Sequence, residues 1–155
     1  MSFVIFSTIC LLAVIYFTVM PKNLYAIELA MILFVVVFVD SNWMDLAILN
    51  LHRFKLPDSH SEIFSFYCTF TILYPLIVGW SIDRISSLKQ SWLKILIAVF
   101  SIFLITILET LTRYLNVITY LDWSWQWSLF QWLVIWLFSF IIHQFFRKLI
   151  VKELK

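Results

Sequence analysis

Long apolar runs separated by short polar breaks define this chain. The runs cover 3–20, 24–43, 63–80, 92–111 and 127–145. Each approaches the roughly 20 residues that a helix needs to cross about 30 Å of hydrocarbon. The pattern predicts an all-α integral membrane protein, a bundle of about five transmembrane helices with short loops, forming one transmembrane domain over 1–155. A four-helix bundle with the first run lying peripherally is the alternative.

The breaks refine these elements. No basic residue precedes the first apolar run, and Val19-Met20-Pro21-Lys22 stands where a small-residue cleavage site would be, so the run is expected to be a retained helix. Pro21 ends it, and Lys22-Asn23 predicts a tight turn. The second run is uninterrupted from Met31 to Val39, with Glu28 and Asp40 each about one turn inside its ends. Beyond it, Trp43, Leu46, Ala47, Asn50, Leu51 and Phe54 recur at helical spacing. That stretch, 43–54, either extends the second helix or lies in the headgroups as an amphipathic segment. Pro57 then supplies a stop. In the third run Pro75 removes the hydrogen bond to the Thr71 carbonyl, which predicts a kink at Tyr74-Pro75 eased by the Thr69 and Thr71 hydroxyls. Gly79-Trp80 is expected to end that run, and Asp83 to Gln90 to form a polar loop.

Composition removes the soluble alternatives. The 155 residues are 63% hydrophobic and 13% charged, with a mean hydropathy of +0.97, whereas soluble domains carry roughly a quarter charged residues. A net charge of +2 gives no footprint for nucleic acid. Glycine occurs once, which argues against close small-residue packing and for helices spaced by large rings. Cys10 and Cys68 fall inside apolar runs and are expected to be free thiols used for packing.

Charge also predicts orientation. With five spans, Lys22, Arg84, Lys89, Lys94, Arg147, Lys148, Lys152 and Lys155 share one face, and only Arg53, Lys55 and Arg113 the other. The positive-inside rule then places the N-terminus outside and the C-terminus in the cytoplasm. Trp80 and Trp92 at one boundary, and Trp43, Trp123, Trp125 and Trp127 at the other, read as interfacial anchors forming an aromatic belt. Trp125 and Trp132, seven apart, are expected to share a helix face.

Few side chains carry candidate chemistry. Glu109 sits near the end of the fourth run, with Arg113 one turn further on. The plain reading is an ion pair that sets the depth of the helix. The functional reading is that Glu109 and Asp40 face each other across the bundle and make an acidic cavity for a cation, a proton or a polar head group, since intramembrane carboxylates are functional candidates. Asp40, Asp45, His52, Asp58, His60 and Glu62 are potential metal donors, but none has the spacing of a zinc site, so no metal and no cofactor is expected. Glu28 is expected to neutralise Lys22 or Lys94, His143 to reach the headgroups, and Gln131 to bond between helices. The basic tail from Arg147 reads as an anionic-lipid contact. No phosphate loop and no nucleophile with a matched base is present.

The order of these features resembles a family. An acid ends the second span at Asp40, Tyr74-Pro75-Leu76 sits in the third, Glu109 closes the fourth, a short loop carries Trp123 and Trp125, and an aromatic last span ends in Arg147-Lys148. This resembles a family of small, uncharacterised multi-pass membrane proteins of spore-forming Gram-positive bacteria. The resemblance implies a bacterial plasma membrane and no particular activity. The leading expectation is a non-enzymatic protein that acts by association with lipid, other membrane proteins or further copies of itself. The alternatives are a small transporter or ion pathway using Asp40 and Glu109, and a membrane-embedded enzyme on a lipid or isoprenoid substrate.

Overall fold

A computed structural model describes residues 2–55, 57, 59–121 and 123–153. Asp58 and Lys155, used in the sequence reading, lie outside the described residues. Five helices are long and apolar enough to cross a membrane: α1 (Ser2–Val19), α2 (Ala26–Asn50), α3 (His60–Ser87), α4 (Ser91–Tyr114) and α5 (Trp125–Glu153). The short connections make neighbours antiparallel. Helices α2, α3, α4 and α5 close a ring of pairwise contacts, and α1 packs mainly along α3 outside that ring. Helix α1 nevertheless has the length and apolarity of a span, so five helices and not four meet that requirement.

The distribution of polarity is the reverse of a soluble protein's. Phe34 is 71% exposed and Phe38, Leu11, Leu12, Ile107 and Ile141 are exposed, while Glu28, Asp40, Asp83, Glu109, Gln131 and His143 are all buried. Buried polar groups and exposed large apolar surfaces are the informative departures from ordinary burial. Both are explained when hydrocarbon surrounds the bundle.

Several expected boundaries move. The stretch 43–54 is not a separate interfacial helix: α2 continues through a π-helical turn, Leu46–Asn50. It stops where His52 takes a left-handed backbone (φ 50°), a conformation that His and Asn tolerate better than most residues. In α3, Pro75 does not break the helix. A second π-helical turn, Thr69–Leu73, precedes it, with the Tyr74 N–H bonded to the Thr69 carbonyl. Widening the turn by one residue absorbs the missing proline donor, and such turns recur at functional sites. The Thr69 hydroxyl bonds the Ser65 carbonyl (2.7 Å) instead of the freed group. Gly79-Trp80 does not end α3 either, and the polar loop expected from Asp83 begins only after Ser87.

Gly79 marks a close helix approach. A Cβ there would lie 3.1 Å from Leu33 Cδ2 and 3.7 Å from Phe17 Cζ, so α1 and α2 both close on this one position. At the same end, Asp83 organises the α1–α2 turn. Its carboxylate accepts the backbone N–H groups of Asn23 (2.7 Å) and Leu24 (3.0 Å) and the Asn23 side-chain amide (3.0 Å). A turn that lacks helical partners for its donors is thereby satisfied by a residue on α3.

The opposite end carries a small cap. Strands β1 (Phe54–Lys55) and β2 (Thr119–Tyr120) pair antiparallel, with Phe54 opposite Tyr120. The Leu121 N–H reaches the Arg53 carbonyl (2.9 Å). Asn116, at φ 55°, turns the chain from α4 into the cap, and Val117 and Ile118 are buried beneath it. The two loops of this end are thus tied together, which the hydrophobic pattern did not predict.

Candidate functional site

Four helices of the ring bring polar side chains together below the cap. Glu109, on α4, is 4% exposed, and Asp40, on α2, is 2% exposed. Ser128 and Trp132 lie one turn apart on α5, and so project onto the same carboxylate. Ser128 Oγ donates to Glu109 Oε1 at 2.7 Å, and Trp132 Nε1 donates to Oε2 at 2.8 Å. Trp123 Nε1 donates to Ser128 Oγ at 2.9 Å, and the Trp123 ring packs on Phe54 of the cap at 4.9 Å between centroids. The chain of contacts from β1 to Glu109 is continuous. It connects the cap directly to the buried acid.

Asp40 is held from α5 by Gln131, whose Nε2 donates to Oδ1 at 3.1 Å. The interhelical role expected of Gln131 is therefore present, with Asp40 as its partner. Tyr74, on α3 just after the π-helical turn, packs edge-on against Trp132 at 4.9 Å. Its hydroxyl lies within electrostatic reach of both Glu109 and Asp40 and beside Thr112. It nevertheless has no partner in hydrogen-bonding geometry, and neither does Gln131 Oε1. Buried polar atoms are nearly always satisfied. Two unsatisfied ones therefore lie close to this pair of carboxyls.

The two acids point inward and interact electrostatically, but they do not border one common chamber. Glu109 lines a cavity of about 380 Å³ between α4 and α5, together with Arg113, Ser128, Trp123 and Trp125. Asp40 lines another of about 160 Å³ between α2 and α3, with Asp45, Phe66, Tyr67 and Thr71. Arg113 thus shares the cavity of Glu109. Below the pair the interior is filled by Val36, Val78, Ile105 and Ile135, each at most 1% exposed. Among the described residues no three of His, Cys, Asp and Glu gather as a metal site would require.

A second polar cluster lies at the far end of the same helix pair. Glu28 does not meet Lys22 or Lys94 as expected. Its Oε2 accepts the Tyr25 N–H (2.9 Å), closing the first turn of α2. Its Oε1 lies 3.6 Å from His143 Nε2 and 3.9 Å from Arg147 Nε. Lys22 instead bonds the Thr18 and Met20 carbonyls. His143 is fully buried and does not reach the headgroups, because it faces α2. Asp40–Gln131 and Glu28–His143 are the ends of one seam. Stepping four residues along α2 and four back along α5 sets Val36 against Ile135 and Ile32 against Ser139, all buried.

The remaining sequence candidates fall as follows. Trp92, Trp125 and Trp127 are exposed. Trp80 is half-buried beside Phe100 at 6.5 Å. Trp125 and Trp132 do not share an environment, since Trp125 is 60% exposed at the start of α5 and Trp132 is fully buried. Cys10 and Cys68 are free, with Cys10 Sγ 3.5 Å from the Cys68 carbonyl. Tyr74, Ser128 and Trp132 were not singled out from sequence as site residues. The available signal was the spacing of Ser128 and Trp132 on either side of Gln131. No protein-family model, no curated protein and no solved structure matches the chain.

Proposed function

We propose that this chain is a multi-pass protein of a bacterial plasma membrane that binds a small cation between Asp40 and Glu109, as the loaded state of a carrier. The observation that carries the reading is the pair of buried carboxyls flanked by the unsatisfied Tyr74 hydroxyl and Gln131 Oε1. A carboxylate inside a bilayer costs about 2.5–3.5 kcal/mol on insertion scales, and such groups usually line ion or proton sites. The donors are all oxygens, which suits a hard cation and not a soft transition metal. The apolar plug of Val36, Val78, Ile105 and Ile135 closes the way to the far end, as an occluded carrier requires and an open channel forbids.

The orientation read from the basic residues belongs to the same proposal. Lys22, Arg84, Lys89, Lys94, Arg147 and Lys148 lie at the end of the α1–α2 turn, which is taken as cytoplasmic, and the cap is taken as external. The tryptophans at the capped end then form the outer part of an aromatic belt.

The test uses the purified protein in detergent and in liposomes. Sodium, lithium and potassium chloride, each compared with choline chloride at equal ionic strength, are expected to raise the unfolding temperature of the wild type by different amounts. The Asp40→Asn/Glu109→Gln variant is expected to respond to none of them. Reconstituted protein should carry the stabilising ion, and equal flux from the double variant would sink the proposal. Reporter fusions at Lys22, Ser86 and the C-terminus check the orientation, and an external signal at any of them overturns it.

A further inference from the structure

A second cleft between α4 and α5 lies at the end that carries the α1–α2 turn. Its volume is about 300 Å³, and it reaches in as far as Ile85 of α3. Ile85, Ile102 and Trp136 are buried and form its floor, whereas Ile95, Val99 and Leu137 stand exposed at its rim. Trp136 is held in place there. Its indole N–H donates to Ser81 Oγ at 2.8 Å, and its ring stacks on Phe140 at 5.3 Å. The cleft is thus a formed groove that opens sideways onto the hydrocarbon around the bundle. Left unfilled, its walls would lose their dispersion contacts on one side. A lipid chain restores them.

Charge at the mouth selects the head. Among the described residues Lys94 is the only charged group on the lining. Its ammonium has no ion-pair partner there, because Glu28, the acid expected to meet it, is turned to His143 and Arg147. The α5 wall also becomes polar in the same direction. Gln144 and Lys148 follow Phe140 by four and eight residues, so they continue its helix face, and both are exposed. An apolar trough with an unpaired cation at its mouth complements an anionic amphiphile. A zwitterionic head would bring its own ammonium beside Lys94 and lose that advantage.

We propose that this cleft holds an anionic phospholipid of the surrounding bilayer, with its phosphate at Lys94 and an acyl chain along Val99, Leu133 and Leu137. Neither Asp40 nor Glu109 borders the cleft, so the lipid is independent of the cation proposed for those two acids.

The experiment measures lipid retained by the intact protein in mixed micelles, read by native mass spectrometry. The micelles hold equal amounts of phosphatidylglycerol and phosphatidylethanolamine with identical chains. Wild type is expected to retain phosphatidylglycerol about fivefold over phosphatidylethanolamine, the factor that one basic group contributes with anionic lipid. Lys94→Gln is expected to bring the two lipids to equal retention while keeping the cation-dependent shift in unfolding temperature. Ala98→Phe fills the cleft without changing charge and is expected to lower the retained phosphatidylglycerol several-fold. Val99→Trp is the second such variant if Ala98→Phe does not fold. Lys89→Gln removes an exposed charge from the same end but not from the lining, and is expected to keep the preference. Equal retention by the wild type overturns the assignment, as does unchanged retention in Lys94→Gln or in a folded cleft variant. An equal loss in Lys89→Gln overturns it too, because the attraction then belongs to the basic end as a whole. Soluble glycerol phosphate displacing the lipid at comparable concentration overturns the lipid source. A lipid preference without any cation response overturns the cation reading alone.

Discussion

Trp132 donates its indole N–H to Glu109 Oε2 at 2.8 Å while its ring packs edge-on against Tyr74. One side chain therefore both satisfies a buried acid and fills the centre of the bundle. Trp132→Phe separates the two roles, since it keeps a ring against Tyr74 and removes the donor. Leaving a buried acceptor short of a partner costs about 1–3 kcal/mol, so the variant should unfold earlier in a denaturing-detergent titration by that amount. Adding Glu109→Gln to it should cost less than Glu109→Gln costs alone, because the two residues share one interaction. Strict additivity would show that the hydrogen bond contributes nothing.

The seam between α2 and α5 gives a prediction in which stability and function part. Gln131→Leu leaves Asp40 buried without its donor and should destabilise by about 1–3 kcal/mol. Replacing both members, Asp40→Leu/Gln131→Leu, removes the unpaired group altogether and should return stability close to the wild type, as apolar replacements of buried polar pairs often do. The same double variant should lose its stabilisation by cations entirely. A double variant that is less stable than Gln131→Leu alone would mean that the pair itself stabilises the helix contact.

Much of this architecture was legible because lipid imposes a one-dimensional rule. Apolar length alone marks the five helices, and an acid inside such a run stands out, which is how Asp40 and Glu109 were found. The partners were harder to read. Ser128 and Trp132 belong to a tryptophan-rich stretch that boundary physics explains equally well, and only the rotation of α5 shows which indoles turn inward. Tyr74 owes its position to the π-helical turn before Pro75, and a one-residue shift in helical register leaves no mark in composition. Asp83 looked like loop because its neighbours Arg84 and Ser86 are polar, whereas its partners, Asn23 and Leu24, lie some 60 positions away in the chain. Glu28 and His143 were each assigned to nearby charges or headgroups. Reading α2 against α5 in antiparallel register, four residues at a time, would have paired them.

Gly79 tests how closely the helices can approach. Alanine in a helix interior is favoured over glycine by about 1 kcal/mol, but the added Cβ would meet Leu33 Cδ2 at 3.1 Å. That contact is the end of a flexible side chain, so the two effects should nearly cancel. Gly79→Ala is expected to unfold within about 0.5 kcal/mol of the wild type, the range of substitutions without a large structural penalty. Gly79→Val adds two methyl groups against Leu33, Leu29 and Phe17 and should cost about 1–3 kcal/mol through overpacking. A stabilised Gly79→Val would mean that α2 and α3 are not pressed together here.

Asp83 makes the sharpest contrast with its neighbour. Its carboxylate holds three N–H groups of the α1–α2 turn, and hydrogen bonds to charged groups contribute about 1.5–3 kcal/mol each. Asp83→Ala should therefore cost about 3 kcal/mol or more, with Asp83→Asn intermediate because one acceptor oxygen survives. Arg84 reaches the Pro21 carbonyl at 3.4 Å from a half-buried position, and Arg84→Ala should stay within about 0.5 kcal/mol. Hydrogen exchange locates the effect: the Asn23 and Leu24 amides should lose protection in Asp83→Ala and retain it in Arg84→Ala. The cation response at Asp40 and Glu109, at the other end of the bundle, should persist in whatever fraction remains folded. Loss of that response in folded Asp83→Ala protein would show instead that the turn and the carboxyl pair are coupled through α2.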